Sequence, residues 1–382
     1  MMLRDAIGYP NGTAGLSATP ANSTERTTAP AKPKVGEWVT VKSKEAILST
    51  LDANGRLDSL PFMPQMFKFC GQKVRVLKRA HKTCDTANGP VSGYFGRKLS
   101  NSVHLEHRCD GQAYGGCQAA CLLFWKEAWL DRSDEGENAN ALAARAAPKS
   151  GARCSGARCT EEDVWKATRA AGSTAEELRY ACQATELPRF TEQLKWWDAR
   201  QYIEDYSSGN TSLSRMLRTF IYSAFYYGTL ANRRTLGRPT RWLYEVCRQA
   251  IGISPMKRAK GRIPVGQLTP VSHLNLAAGD LVRVKSFDDI LKTNDTRNSN
   301  RGLFFDAEMV CFCGKEFRVR SRVERFIDEL TGYMKTLKTP AVILEGAFCR
   351  ACYSDHRLFC PRSVFTWWRE VWLEKVPEDS KS

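Results

Sequence analysis

The sequence is poor in histidine and has no long apolar stretch. Five His among 382 residues leave a small pool for acid–base work. No run approaches the roughly 18 consecutive apolar residues that a spanning helix needs, and the N-terminus lacks the apolar stretch of a signal peptide. A soluble, cytoplasmic chain without a membrane partner is therefore expected. No Gly-x-Gly-x-x-Gly follows a strand pattern, and no Gly-x4-Gly-Lys-Ser/Thr, His-Glu-x-x-His or Gly-x-Ser-x-Gly occurs. Dinucleotide, P-loop, zincin and serine-hydrolase chemistry thus have no support.

What the sequence does have is cysteine, 14 in all. In a reducing compartment these are thiols, metal ligands or reactive groups rather than a disulfide framework. A net charge of +16 can attract polyanions, but Lys and Arg are scattered, with local concentrations at Arg233, Arg234, Arg238 and Arg241 and at Lys257, Arg258, Lys260 and Arg262. Nucleic acid is one possible partner, and a solvated basic surface explains the same charge.

The chain matches itself at a shift of 243 residues. Gly36, Val39, Val41, Lys42 and Ser43 meet Gly279, Val282, Val284, Lys285 and Ser286, and Phe62, Met66, Phe69, Cys70 and Gly71 meet Phe305, Met309, Phe312, Cys313 and Gly314. Residues 36–85 carry 19 identities in 50, where unrelated segments would give about three. The register returns at Trp125-Lys-Glu-Ala-Trp129-Leu130 and Trp368-Arg-Glu-Val-Trp372-Leu373.

Each copy opens with alternating Val39-x-Val41 or Val282-x-Val284, a strand signature, followed by Ser43 or Ser286 before an acidic helical first turn. Lys73–Val76 and Glu316–Val319 read as second strands. The expected class is α+β: two duplicated small β-rich domains, 36–131 and 279–376, flanking a helical insert at 153–252. Linkers are expected at 132–152 and 253–278, and tails at 1–35 and 377–382. Within the insert, caps at Thr160-Glu-Glu-Asp163 and Ser173-Thr-Ala-Glu-Glu177 predict helices, the second carrying Cys182. Phe190–Tyr206, Leu213–Leu230 and Trp242–Ala250 show helical spacing as well.

The thiols have one repeated spacing. Cys109-x7-Cys117 and Cys352-x7-Cys360 fall in register. The first copy adds Cys121; the second adds Cys349 and His356. Zinc accepts sulfur and imidazole nitrogen in a four-ligand shell, so Cys349, Cys352, His356 and Cys360 form a complete candidate set. Cys109, Cys117 and Cys121 are one short, and Cys84 is the favoured fourth, with His81 or Cys70 in reserve. Asp110-Gly111 and Gly115-Gly116 permit a tight turn between these ligands. Cys154, Cys159 and Cys182 form a third group that could hold an iron–sulfur cluster. Cys70 and Cys313 are ligands or small core residues; Cys247 reads as core. A nucleophilic Cys84 beside His81 is the enzymatic reading of the same region.

The opening Gly36-Glu-x-Val39-x-Val41 and Gly279-Asp-x-Val282-x-Val284 resembles the start of SH3-like barrels. The whole chain resembles a group of bacterial proteins of unassigned function, a likeness that implies no activity. The functional expectation is a zinc-binding tandem-domain interaction or accessory protein that engages another protein. The alternatives are a metalloenzyme or iron–sulfur enzyme of a biosynthetic pathway, and a nucleic-acid-binding protein.

Overall fold

The computed structural model describes residues 32–88, 96–132, 159–174, 176–231, 239, 242, 243, 246, 259–353 and 357–377. Its content of 25% helix and 31% strand makes the fold a mixture of helix and sheet, compatible with the expected α+β class. Among the described residues, no helix is long and apolar enough to cross a membrane. The described residues from Pro33 onward belong to one compact unit.

Two five-stranded antiparallel sheets dominate, and their strand orders are equivalent. In the first, Leu122–Lys126, Ser102–Arg108, Lys73–Arg79, Trp38–Val41 and Leu130–Arg132 lie side by side; in the second, Phe365–Trp368, Met334–Phe348, Glu316–Ile327, Leu281–Val284 and Leu373–Lys375 do. Register agrees as well. Val39 faces Val74 and Arg132, and 243 residues later Val282 faces Phe317 and Lys375.

The reason lies in the shared residues. Val39, Val41, Val282 and Val284 are fully buried, as period-two alternation demands of a half-covered strand. Phe62 meets Trp125 and Trp129 edge-on at 6.3 and 5.1 Å, and Phe305 meets Trp368 and Trp372 at 6.0 and 5.2 Å. Each aromatic trio fills one core. Trp125 and Trp368 sit on strands, whereas Trp129 and Trp372 sit in the 3-10 turns Glu127–Trp129 and Glu370–Trp372, which lead into the last strands. Gly71 and Gly314 take φ of 76° and 74° and donate to the Val41 and Val284 carbonyls at 2.8 Å. Only glycine adopts that backbone without strain. The caps at Ser43 and Ser286 form as expected, each accepting a first-turn N–H.

The insert departs from its periodicity. Thr160 and Asp163 make a capping box on helix Glu161–Lys166, and Leu213–Ala231 is the long helix expected. The helix predicted over Phe190–Tyr206 is instead the turn Leu187–Phe190, a strand Glu192–Leu194 and helix Arg200–Ser207. The strand adds to Gly96–Lys98, and the chain reversal after it is held by Gln201 and Tyr202 bonding the Trp196 carbonyl. Tertiary partners outweigh local propensity here. No helix follows Ser173 either: its hydroxyl accepts from Arg179 N–H and donates to the Arg179 carbonyl, closing a loop. Cys182 therefore lies on a turn, with Cys182 C=O accepting from Glu186 N–H. Trp242–Ala250 lies mostly outside the described residues. Residues 259–278, expected as a linker, lie against the second sheet. Thr269 accepts from Arg301 N–H, and Leu276 is buried in its core.

The two sheet-bearing halves exchange contacts. Arg362 donates to the Cys84 carbonyl at 3.2 Å, and Thr86 bonds Glu329, its own counterpart at the 243 shift. Gln118 accepts from Glu324 and Arg325 N–H. Lys82, the counterpart of Arg325, donates to the Leu358 carbonyl at 2.8 Å. Self-counterparts that touch and contacts that run both ways are what a two-fold arrangement produces.

Lys82 is also the tie to the insert, donating to Gln201 Oε1 at 3.1 Å and Asp205 Oδ2 at 2.6 Å. Both Lys82 and Asp205 are buried, and burial pulls the Lys82 ammonium pKa below its usual value while Asp205 opposes that pull. Removing one partner of such a pair strands the other. Lys82→Ala is expected to cost on the order of 3–5 kcal/mol in urea denaturation, and a loss below about 1 kcal/mol would contradict the pairing.

Candidate functional site: two sets of converging thiols

All twelve described cysteines are free thiols. Cys109, Cys117, Cys121 and Cys182 line one cavity of about 40 Å³, together with Ile327, Glu329 and Arg362. That volume suits an ion or a water rather than an organic ligand. Gly111, with φ of 72°, shapes the loop, since a Cβ there would stand 1.9 Å from the Cys117 carbonyl oxygen. The turn expected from Gly111, Gly115 and Gly116 is present, all three with positive φ. Cys109 N–H donates to the Cys121 carbonyl at 2.8 Å, which holds the two ends of the C-x7-C-x3-C segment together.

Cys182 arrives from the insert, seated by the buried side chain of Gln183. That amide accepts from Phe124 N–H at 2.8 Å and donates to the Phe124 and Pro61 carbonyls at 3.0 Å. Donors surround the sulfurs. Gln65 Nε2 lies 3.2 Å from Cys109 Sγ, and Ile327 N–H lies 3.4 Å from Cys117 Sγ. Burial raises the pKa of Cys109 well above the thiol range, with the charges of Cys121, Cys182 and Cys117 adding to the rise. Burial likewise pushes Cys121 up to about 12 and raises Cys182. These thiols are neutral unless a cation joins them, which would reverse the balance.

The second set stands across the local two-fold. Cys349, Cys352 and Cys360 line a larger cavity, and Cys84 shares a hydrogen bond with Cys360. That bond, against the effect of burial and with help from Arg362 and Arg357, lowers Cys84 to about 6. Burial, then Cys84, drives Cys360 well up. Arg215 Nε lies 3.2 Å from Cys352 Sγ.

The expected groupings are thus redistributed. Cys84, favoured as the fourth member with Cys109, Cys117 and Cys121, stands with Cys360 in the other half, and Cys182 takes the place by the first set. The exchange follows the two-fold: the counterpart of Cys84 is Ile327, which bonds Cys117, the counterpart of Cys360. His356 and Cys154 lie outside the described residues. Cys159 shares the first core with Cys182 but does not line the cavity that Cys182 lines, and it lies beside Gly55 and Asp163. His81, held in reserve, faces the Gln201 carbonyl at 3.2 Å, and Cys70 and Cys313 pack against the two cores. No group of three or more His, Cys, Asp or Glu that could hold a metal ion as placed is found among the described residues.

His104 lies in the strand behind the first set. It is wholly buried, its Nδ1 is 2.9 Å from the Leu123 carbonyl, and its Nε2 has no hydrogen-bond partner. Burial lowers its pKa to about 4, from about 6.5. The folded chain then binds fewer protons than the unfolded chain between these values, so this ring's contribution to stability is intact above pH 6.5 and is lost as pH falls towards 4. His104→Gln should flatten the fall of the urea midpoint over that window; an unchanged slope would place the titration elsewhere. No protein-family model matches the chain, and no curated protein and no solved structure matches it either.

Proposed function

We propose that the two thiol sets are metal centres, zinc being the preferred ion, that fasten a duplicated pair of SH3-like barrels and their insert into an interaction or accessory protein. The observation that carries this reading is the meeting of Cys109, Cys117 and Cys121 with Cys182, about 60 residues away, at one small cavity. Four thiols from two segments of chain around a space of ion size are the donor set of a closed structural zinc site. Cys84, Cys349, Cys352 and Cys360 supply the same number in the other half. Closing each shell would require the sulfurs to move from their present positions. The barrel reading is supported by the strand order, in which the first strand lies between the second and the fifth and a 3-10 turn precedes the fifth.

The sites join parts of the chain that are distant in sequence, so metal binding and folding would be linked. An iron–sulfur cluster is the second reading, favoured by the all-thiol composition of the first set. Metal analysis of anaerobically purified protein separates them: a colourless protein with about two zinc per chain is expected, whereas visible absorption with iron and sulfide would establish the cluster. Cys182→Ser should remove about half of the metal and lower the melting temperature, while Cys159→Ser should leave the metal content unchanged. Full metal content in Cys182→Ser would overturn the assignment.

A further inference from the structure

Beyond the thiols, the cavity of about 560 Å³ at the start of the long helix Leu213–Ala231 has a composition of its own. Lys78, Arg215, Arg218 and Arg350 line it, and no acidic side chain does among the described residues. None of the four cations forms an ion pair with a carboxylate among those residues, although many other Lys and Arg side chains there do. In a chain that neutralises so many of its charges, four unpaired cations around one hollow are an unbalanced field.

Two of the cations, Arg215 and Lys78, are held in place by hydrogen bonds. Arg215 is fixed by Cys352 Sγ and by the Arg350 carbonyl at 2.6 Å, and Lys78 bonds the Asn210 carbonyl. Burial first and Arg215 second lower the pKa of Lys78, so its charge is carried at a cost that a nearby anion would relieve. The helix adds the partial positive charge of its N-terminus, where Ser212 caps Arg215 N–H. Thr211, at 6% exposure, also lines the cavity, and its hydroxyl has no hydrogen-bond partner. Such a buried orphan donor is expensive unless something bonds it. Tyr222, Tyr353 and Phe359 supply apolar ring faces on the same wall.

We infer that this cavity binds a phosphate-bearing ligand of mononucleotide size, its phosphate met by Lys78, Arg215, Arg218 and Arg350 and its ring placed against the tyrosines. Fixed guanidinium groups suit the geometry of phosphate oxygens, and the volume falls within the range of small-molecule sites. The inference stands on the cations and does not require that the thiols hold metal.

The test uses the full chain as purified, with metal content recorded for every sample. Calorimetric titration with AMP, GMP, CMP and UMP, with adenosine, with pyrophosphate and with a single-stranded oligonucleotide is carried out at low ionic strength. At least one nucleotide should bind, adenosine should bind at least about tenfold more weakly than AMP, and affinity should fall as salt rises. Arg218 and Arg350 are exposed, so Arg218→Glu and Arg350→Glu should fold normally and each weaken nucleotide binding about tenfold or more. Lys315→Glu, outside the cavity, should change it less than about twofold. Absence of binding by all four nucleotides and by pyrophosphate, or affinity unchanged by both charge reversals, would overturn the inference. Binding limited to a single-stranded oligonucleotide would do so too, by assigning the cations to a strand instead of a nucleotide. Purified protein without metal that still binds nucleotide would count against the metal reading alone.

Discussion

The contact on which the architecture turns is the Lys82 ammonium. It is sealed from water and bonded at once to Gln201 and Asp205 of the insert and to the Leu358 carbonyl of the second half. Three acceptors from two segments of chain satisfy one charge, and either segment would leave a buried polar group stranded if it moved away. This couples the halves and the insert more tightly than apolar packing alone, because hydrogen bonds to a charge are directional where hydrophobic contact is not. The aromatic trios keep each half intact; the buried polar ties determine how the halves meet.

That meeting follows a local two-fold. Thr86 touches Glu329, its counterpart, and the strand around Cys84 approaches Cys360 as the strand around Ile327 approaches Cys117. The halves use each other's side chains as homodimer subunits do, although they belong to one chain. Positions paired by the 243-residue shift are filled differently. Cys84 stands where the other half has Ile327, and Cys121 stands where it has Val364. Both thiol sets still number four, with different members recruited.

Much of this was legible in the sequence. The 243-residue shift located both sheets, their first and second strands, the Ser43 and Ser286 caps and the paired C-x7-C segments. Membership of the thiol sets was not legible, because a self-match pairs residues with equivalent roles, whereas the halves contact through residues with different roles. The fourth thiol for the first set was sought nearby at Cys84, whereas the thiol that lines the same cavity is Cys182, seated by the buried amide of Gln183 against Phe124. The one available hint was that Cys84 has no cysteine counterpart. The insert misled for another reason: Ser173 and the Phe190–Tyr206 pattern satisfy helical rules, but Arg179 and the edge Gly96–Lys98 offer those segments non-local bonds.

Arg362 connects these observations. Its guanidinium borders the first thiol cavity, grips Glu329 at 2.6 Å and bonds the Cys84 carbonyl, and its charge helps to lower the Cys84 thiol. Its counterpart at the 243 shift is Ala119, so the repeat supplies no second cation at the equivalent position. A guanidinium held by Glu329 and the Cys84 carbonyl is a common neighbour of both sulfur groups, so a change of charge at either is felt at the other through one side chain.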